Sequence, residues 1–228
     1  MKDLCALLRA NAYPGRGIVL GQSAAGVPAA LYFIMGRSEN SRNRVFVATP
    51  DGIRTQARDP AKLSDPSLIL YHPVRRLGRA LIVANGDQSD TIQDFLERGR
   101  TFEEALRTRT FEPDGPHWTP RISGLLLPDG SCRLSILKSA GQAGGACIRQ
   151  FFEYPAQPGT GHFLHTYLGD GDPLPSFSGE PEAVDMPADF AAAARVWESL
   201  HHDHRVALYA AIGGEARVWS RYEEGAEL

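Results

Sequence analysis

Short apolar runs separated by turn residues constrain this chain more than any other feature of its sequence. They recur along most of its length and are rich in Val, Ile, Leu, Phe and Tyr, a composition that favours strands. The runs predict strands at residues 17–20, 29–35, 45–48, 68–71, 80–84, 122–127, 132–137, 147–154, 162–168, 206–212 and 216–222. So many strands beside few helices predict an α+β fold, with two sheets packed face to face and helices outside them.

Two segments have the apolar spacing of amphipathic helices. The first covers residues 91–107, where Gly99 is expected to kink or split the helix, and the second covers residues 188–200. Residues 169–187 are rich in proline, glycine and acidic residues, and so form either a functional loop or a linker. Because strand candidates follow this loop, we expect residues 1–228 to form one domain.

The composition is that of an ordinary globular protein, with 43% hydrophobic and 22% charged residues. No window approaches the roughly 20 apolar residues that a membrane-spanning helix needs, and the N-terminus lacks the build of a secretory signal. Cys5, Cys132 and Cys147 are odd in number and far apart, which indicates free thiols and a cytoplasmic location. A net charge of −3 argues against a general nucleic-acid binder.

Polar residues cluster at the ends of predicted elements between residues 79 and 121. The strand at 80–84 runs into Asn85-Gly86, a strong turn signal, and Asp87 follows. A helix beginning near residue 91 makes Ser89 or Asp90 a candidate N-cap, an interpretation that accounts less well for Asp87. Glu112 is either a solvated turn residue or a buried carboxyl whose raised pKa lets it exchange protons near neutrality.

Arginine and small polar residues crowd between residues 36 and 44, in a turn between two predicted strands. The planar guanidinium fork suits phosphate oxygens, and hydroxyl groups complete such a cradle. The candidate phosphate ligands are Arg37, Ser38, Ser41, Arg42, Asn43 and Arg44. A solvated surface loop is the alternative interpretation of the same composition.

Two further groups of residues allow a functional and a structural interpretation. Tyr71, beside His72 at the end of a predicted strand, is either a core-edge residue or a catalytic hydroxyl. His201, His202 and His204 allow a metal site, but their spacing matches no known metal motif, so we expect none. The sequence also contains no P-loop, no dinucleotide-binding glycine motif after a strand and no serine-hydrolase or zinc-protease motif.

Taken in chain order, these pieces resemble the archaeal-type IMP cyclohydrolase family. The similarity covers most of residues 13–200 and is carried by Tyr13-Pro14-Gly15-Arg16, the arginine turn ending at Asn43-Arg44, Leu70-Tyr71-His72, the NGDQSDTI stretch of residues 85–92, Phe111-Glu112 and Thr119-Pro120-Arg121-Ile122. The resemblance implies a four-layer αββα sandwich like that of the N-terminal-nucleophile hydrolases, without the terminal nucleophile. Residues 1–12 then form an N-terminal extension.

The same resemblance implies a reaction, a substrate and a set of site residues. A small purine ribotide, 5-formamidoimidazole-4-carboxamide ribotide, would be cyclised to IMP with loss of water, the last step of purine synthesis. The reaction would need no metal or organic cofactor. Arg44, Tyr71 and Glu112 match the functional arginine, tyrosine and glutamate of the family. The candidate substrate contacts are Arg16, Arg37, Ser38, Asn43, Asn85, Asp87, Thr119 and Arg121.

Three points stay open at this level. The arginine turn is about two residues longer than in the family, so Arg42 and Arg44 could exchange roles, and archaeal members tend to have Ser-His at Asp87-Gln88. The substrate is therefore either the standard ribotide or a relative. One rival function is an amidohydrolase of the N-terminal-nucleophile class, with Cys5 freed by cleavage after Leu4. Another is a non-catalytic purine-nucleotide-binding protein, and assembly into a homo-oligomer is not readable from the sequence.

Overall fold

A computed structural model of the chain describes residues 1–62, 69–141 and 144–227. Up to residue 107 this part contains α1 (Leu4–Ala10), β1 (Arg16–Gln22), β2 (Pro28–Met35), α2 (Glu39–Arg42), β3 (Arg44–Thr49), β4 (Gly52–Ala57), a short 3-10 helix (Pro60–Lys62), β5 (Val74–Leu77), β6 (Ala80–Ala84), α3 (Gln88–Glu97) and α4 (Phe102–Arg107). The later elements are β7 (Arg121–Leu126), β8 (Cys132–Ser139), β9 (Cys147–Tyr154), β10 (Thr160–His165), β11 (Glu182–Asp185), α5 (Phe190–Ser199), β12 (Arg205–Ile212), β13 (Glu215–Ser220) and β14 (Glu223–Glu227).

The strands form two antiparallel sheets of seven strands each. The first sheet has the order β11-β10-β1-β2-β12-β13-β14, and the second has the order β3-β4-β5-β6-β7-β8-β9. In the first sheet β2 pairs with both β1 and β12, so early and late parts of the chain share one sheet. The predicted α+β class is confirmed, and the two sheets are compatible with a sandwich.

Neighbouring residues of a strand face opposite sides of its sheet, so the apolar residues of one strand belong to two different clusters. One cluster joins the two sheets and includes Ile18 and Tyr32 of the first sheet and Phe46 and Ile122 of the second. The intervening residues face the other way, as strand periodicity requires. In β2, for example, Phe33 belongs to the cluster that the first sheet shares with α1 and α5.

A third cluster holds α3 and α4 against the second sheet. It contains Ile92 and Phe102 from the helices and Leu125 from β7. The predicted helix at 91–107 is divided as expected near Gly99, which adopts a φ of 71° between α3 and α4. Thr101 then caps α4, because its side chain accepts from the Glu104 backbone N–H.

Several sequence predictions differ from the structure. The predicted strand at 68–71 is wrong over residues 69–71, which form a turn and a bend, and Leu68 lies outside the described residues. The predicted N-cap is also wrong, because α3 begins at Gln88 and so contains Ser89 and Asp90 within its first turn. The predicted strand at 162–168 ends at His165, and residues 169–187 contain β11.

Seven elements of the described ranges had no counterpart in the predictions: α1, α2, β4, the short 3-10 helix, β5, β11 and β14. Most are short, and β4 and β5 carry polar residues such as Arg54 and Arg75 at positions that an apolar-run criterion rejects. In the described part of the chain, no helix combines the length and the apolar character that crossing a membrane requires.

The helix α1 stabilises the fold through two buried leucines. Leu4 and Leu8 are almost fully buried and belong to the cluster around α5. Leu8→Ala should therefore lower the free energy of unfolding by about 2–5 kcal/mol, the usual range for a buried leucine. Chemical denaturation measures this change. The matched control is Leu168→Ala at a half-exposed leucine, where we expect about 0.5 kcal/mol or less. Equal effects of the two substitutions would contradict the packing described for α1.

Candidate active site

A cavity of about 310 Å³ opens at the end of the sandwich where β1 and β3 begin. Arg16 is the first residue of β1. It lies two positions before Ile18, and so on the same strand face as this member of the cluster between the sheets. Arg44 is likewise the first residue of β3 and shares a strand face with Phe46, two positions further on. Strand periodicity thus aims both arginines into the space between the sheets. Seven of the residues predicted as site candidates line the cavity: Arg16, Arg37, Ser38, Ser41, Arg44, Glu112 and Thr119.

A buried ion pair forms one wall of this cavity. Arg16 Nη2 donates to Glu112 Oε1 over 2.6 Å, and the exposed fractions of the two side chains are only 10% and 5%. Burial raises the pKa of the Glu112 carboxyl, although the guanidiniums of Arg16 and Arg121 oppose the shift. Arg16 Nε has no hydrogen-bond partner among the described residues. The pair therefore leaves one buried N–H of Arg16 unsatisfied, and both residues border the cavity.

A pair of tyrosine hydroxyls lies beside this ion pair. The hydroxyl oxygens of Tyr71 and Tyr32 are 2.9 Å apart and buried. The backbone of Tyr71 is fixed by Thr55, whose hydroxyl accepts from the Tyr71 N–H and whose N–H donates to the Tyr71 carbonyl. Tyr71 does not line the cavity, but its hydroxyl is close enough to interact electrostatically with Arg16.

The loop that follows Glu112 is folded back on itself by hydrogen bonds. The Glu112 N–H donates to the Thr119 carbonyl over 2.9 Å, and the Thr119 hydroxyl donates to Asp114 Oδ2. Because that hydroxyl has one hydrogen, Tyr167 must be the donor in its 2.6 Å contact with Thr119. Burial raises the pKa of Tyr167, which keeps this phenol neutral. Thr119 is thus held rigidly at the cavity wall.

The arginine turn is a short helix and not an open loop. The Ser38 and Ser41 side chains each accept from the other residue's backbone N–H, which closes α2 as a capping box. Arg44 is buried, donates from Nε to the Ser41 carbonyl over 2.8 Å, and lines the cavity. Arg42 donates to the Arg37 carbonyl and does not line the cavity.

The acidic segment after β10 reaches the mouth of the cavity. Arg37 donates to Asp170 Oδ1 over 2.6 Å and to the Gly171 carbonyl over 2.8 Å, and its guanidinium also lies over the Tyr13 ring. Leu174 of the same segment lines the cavity. Part of the predicted functional loop or linker at 169–187 therefore borders the candidate site.

Asn43 and Asn85 bond to neighbouring protein groups and do not face the cavity. The Asn43 side chain exchanges two 2.8 Å hydrogen bonds with the backbone of Asp59. Asn85 is fully buried and bonds to the Pro120 carbonyl, the Ile122 N–H and the Gln88 amide. Both amides hold the backbone around the site, and neither lines the cavity.

Asp87 and Arg121 form a charged cluster behind the cavity. Arg121 shares a face of β7 with Leu125, which belongs to the cluster between the second sheet and the helices α3 and α4. Its side chain therefore points beneath α3. There it donates to Asp87 Oδ1 over 2.6 Å and to Gln88 Oε1 over 2.7 Å, and Asp87 also pairs with Arg109. Although partial burial opposes the charge on Asp87, the two arginines outweigh it and lower the pKa of Asp87.

Gly86 is required by this cluster. A Cβ at position 86 would come within 2.5 Å of Arg121 Nη1 and 2.7 Å of Gln88 Oε1, so a side chain there would displace the arginine. The Asn85-Gly86 turn signal coincides with a bend between β6 and α3, and Gly86 is in addition a close packing position.

Sequence reasoning assigned no role to Tyr32 or Tyr167. The pattern of β2 contained a signal for Tyr32, since a tyrosine among the apolar residues PAALYFIM needs a hydrogen-bond partner once buried. His201, His202 and His204 do not line the cavity, although the His204 ring packs against Tyr13 at its wall. The described ranges contain no group of three metal-ligating side chains suited to a metal ion.

Comparison with known proteins places the chain in a family. The family model described as IMP cyclohydrolase-like protein matches residues 13–216. A protein named IMP cyclohydrolase from Halobacterium salinarum is 32% identical over 199 residues, which cover 85% of this chain and 88% of that protein. Proteins of the same name from Methanopyrus kandleri and Methanococcus aeolicus are 35% identical over 52% of the chain and 26% identical over 68%, covering 59% and 74% of their own lengths.

The chain belongs to the IMP cyclohydrolase-like protein family, since the family model spans most of its length. The predicted resemblance is thereby confirmed. The match begins at Tyr13, directly after the N-terminal segment that contains α1.

The buried ion pair predicts a characteristic stability response. Arg16→Met leaves Glu112 buried without its cation, and should lower the free energy of unfolding by about 3–5 kcal/mol. Adding Glu112→Leu removes the orphaned carboxyl, so the double variant should recover most of that loss in urea unfolding. The control is Lys2→Ala at the exposed pair with Glu182, where we expect a change of about 1 kcal/mol or less. A double variant no more stable than Arg16→Met would contradict this account of the pair.

Proposed function

We propose that the chain is an IMP cyclohydrolase that closes 5-formamidoimidazole-4-carboxamide ribotide to IMP with loss of water. The observation that carries the proposal is the buried Arg16–Glu112 pair at the wall of a cavity, in a chain of this family. Relatives bearing the name IMP cyclohydrolase cover most of the chain and support the same reaction.

The chemistry consists of an addition and a dehydration. The carboxamide nitrogen forms a bond to the formyl carbon, and one of its protons is transferred to the formyl oxygen. The resulting hydroxyl then leaves as water with the proton of the formamide nitrogen, which creates the last ring double bond. Holding the two groups in contact can lower the barrier by up to roughly 7–11 kcal/mol. This chemistry calls for no metal or organic cofactor.

The proposed catalytic residues each match one demand of the reaction. Glu112 accepts a hydrogen bond or a proton from the attacking carboxamide, and its raised pKa suits proton exchange. Tyr71 donates to the formyl oxygen, and Arg44 stabilises the negative charge that develops there or binds the phosphate. Arg16 orients the Glu112 carboxylate through the hydrogen bond from its Nη2.

The remaining predicted residues are proposed either to contact the ribotide or to hold the protein around it in place. Arg37, Ser38 and Thr119 line the cavity and are proposed to contact the ribotide, with Arg37 and Arg44 as phosphate ligands. The side chains of Asn43, Asn85, Asp87 and Arg121 are engaged with neighbouring protein groups. We propose that these four influence the substrate through the backbone and the charges that they hold in place.

The fold of the chain is proposed to be the four-layer αββα sandwich of the N-terminal-nucleophile hydrolases, used without a terminal nucleophile. This proposal is supported by two apolar clusters, one between the first sheet and the helices α1 and α5 and one between the second sheet and the helices α3 and α4. A single domain over residues 1–228, with 1–12 as an extension, is supported by the pairing of β2 with β12. A cytoplasmic location is consistent with purine synthesis.

The rival function as an amidohydrolase finds no structural support. Cys5 lies within α1 and packs beside the cluster of α1 and α5, and it does not line the cavity. A non-catalytic nucleotide-binding protein is the other alternative, and measured turnover separates it from the proposed enzyme.

Glu112→Gln and Tyr71→Phe test the proposed chemistry. Each substitution keeps the shape of its side chain and removes basicity or a hydroxyl, so turnover should fall by roughly 10²–10⁴ for Glu112→Gln and about tenfold or more for Tyr71→Phe. The ultraviolet change on ring closure measures turnover, and titration with IMP measures binding, which should change much less. Parental turnover in both variants would mean that the active site lies elsewhere.

Arg44→Ala tests the binding role of the arginine turn. Because Arg44 presents a buried cation to the cavity, its removal should weaken IMP binding about tenfold or more, as expected for a charged hydrogen bond. Isothermal titration measures the dissociation constant. Arg54→Ala, at an exposed arginine of β4, is the control and should bind IMP normally. Parental affinity in Arg44→Ala would exclude Arg44 from ligand binding.

A further inference from the structure

Tyr32 is a buried tyrosine to which no catalytic role has been given above. Its ring lies fully buried in the cluster between the sheets and is stacked on Phe46 with 5.8 Å between centroids. Such a position favours phenylalanine unless the hydroxyl has a partner. Among the described residues, the hydroxyl of Tyr71 is the only hydrogen-bond partner of the Tyr32 hydroxyl, at 2.9 Å.

The contact between the two hydroxyls contains one hydrogen, since each phenol carries a single O–H. If Tyr71 were the donor, its hydrogen would be consumed, and the Tyr32 hydrogen would have to point into an apolar core without an acceptor. A buried donor left without an acceptor destabilises the protein. If Tyr32 is the donor, its hydrogen is satisfied and the Tyr71 hydrogen is the one left without a protein acceptor. The leftover hydrogen is better tolerated on Tyr71, which keeps 4% of its surface exposed, than on Tyr32, which keeps none. The second arrangement is therefore the stable one.

The surroundings of the pair favour the same arrangement. The positive charges of Arg16 and Arg44 both act on the Tyr32 hydroxyl. The charge of Arg16 also interacts with the Tyr71 hydroxyl. Guanidinium groups are donors only, so neither arginine offers an acceptor for a phenol hydrogen. Desolvation raises the pKa of Tyr32, which keeps it protonated and able to donate. The free hydrogen of Tyr71 lies within electrostatic range of Arg16, which lines the cavity, and so it is the one placed for an acceptor in the site.

We propose that Tyr32 is a positioning residue for ring closure, which donates to the Tyr71 oxygen and thereby commits the Tyr71 hydrogen to the formyl oxygen of the substrate. The inference rests on the proposed function and adds to it a residue that does not touch the substrate. Donation to Tyr71 also polarises its O–H bond, because hydrogen bonds in a chain strengthen one another. Tyr32 therefore affects the rate through Tyr71, and not the affinity for the ribotide.

Tyr32→Phe tests the proposal because it deletes the hydroxyl and keeps the ring against Phe46. The expected result is a kcat lower by roughly threefold to tenfold, the effect of one neutral hydrogen bond, with KM and the dissociation constant for IMP unchanged. In the double variant with Tyr71→Phe, the loss of the Tyr32 hydroxyl should have no further effect, so its kcat should equal that of Tyr71→Phe alone.

Tyr209→Phe is the matched control. Tyr209 is the register partner of Tyr32 on β12 and equally buried, but its hydroxyl interacts with Arg76 and lies at another cavity. Its kcat should be parental. A parental kcat in Tyr32→Phe, or a double variant slowed by the product of the two single effects, would overturn the proposal while leaving the ring-closure function intact. Absence of turnover in the unsubstituted protein would overturn the proposed function, and the role of Tyr32 with it.

Discussion

The ion pair between Arg16 and Glu112 is the constraint on which the rest of the site depends. Moving two charges out of water costs several kcal/mol each, and even a well-made pair rarely contributes to stability in return. Here the cation comes from the first strand of one sheet and the carboxylate from the loop before β7 of the other. The pair is therefore a poor way to hold the sheets together, which agrees with the chemical role that we propose for it.

Burial gives each partner a property that water would remove. The Glu112 carboxyl has a raised pKa, so it can exchange protons in a range where an exposed glutamate stays ionised. Arg16 restrains the carboxylate and retains a free Nε. The network behind it, from Arg121 to Asp87 and Arg109, sets the local charge without entering the cavity. The scaffold thus supplies orientation and electrostatics, which are the main demands of an intramolecular ring closure.

Much of the scaffold follows from local sequence patterns. Apolar strands such as β2 and β12 are bounded by turn residues, and Gly99 divides the helical segment where its positive φ allows the chain to turn. The polar strands β4 and β5 escape prediction, because their ladder partners and not their own side chains decide their conformation. The extended pattern at 69–71 is misleading because Tyr71 bonds to Thr55 from a bend.

The sequence indicated candidate residues for the site but not their arrangement. The resemblance selected Glu112, Arg44 and Thr119, which do line one cavity, although a lone carboxylate in a turn looks solvated in sequence. Whether Arg121 faces the cavity or α3 depends on strand register, which the sequence does not specify. The role of Tyr32 depends on a contact across the two sheets, and no pattern within β2 identifies Tyr71 as its partner.

The pH dependence of ring closure tests the central claim most directly. If the buried Glu112 must be ionised to accept the carboxamide proton, kcat should fall as the pH drops through its pKa. Because burial raises that pKa, the acid limb should lie above the ordinary glutamate value of about 4.3. The residual activity of Glu112→Gln should lack this limb. An acid limb of unchanged position in Glu112→Gln would contradict the account, because another group would then control the proton.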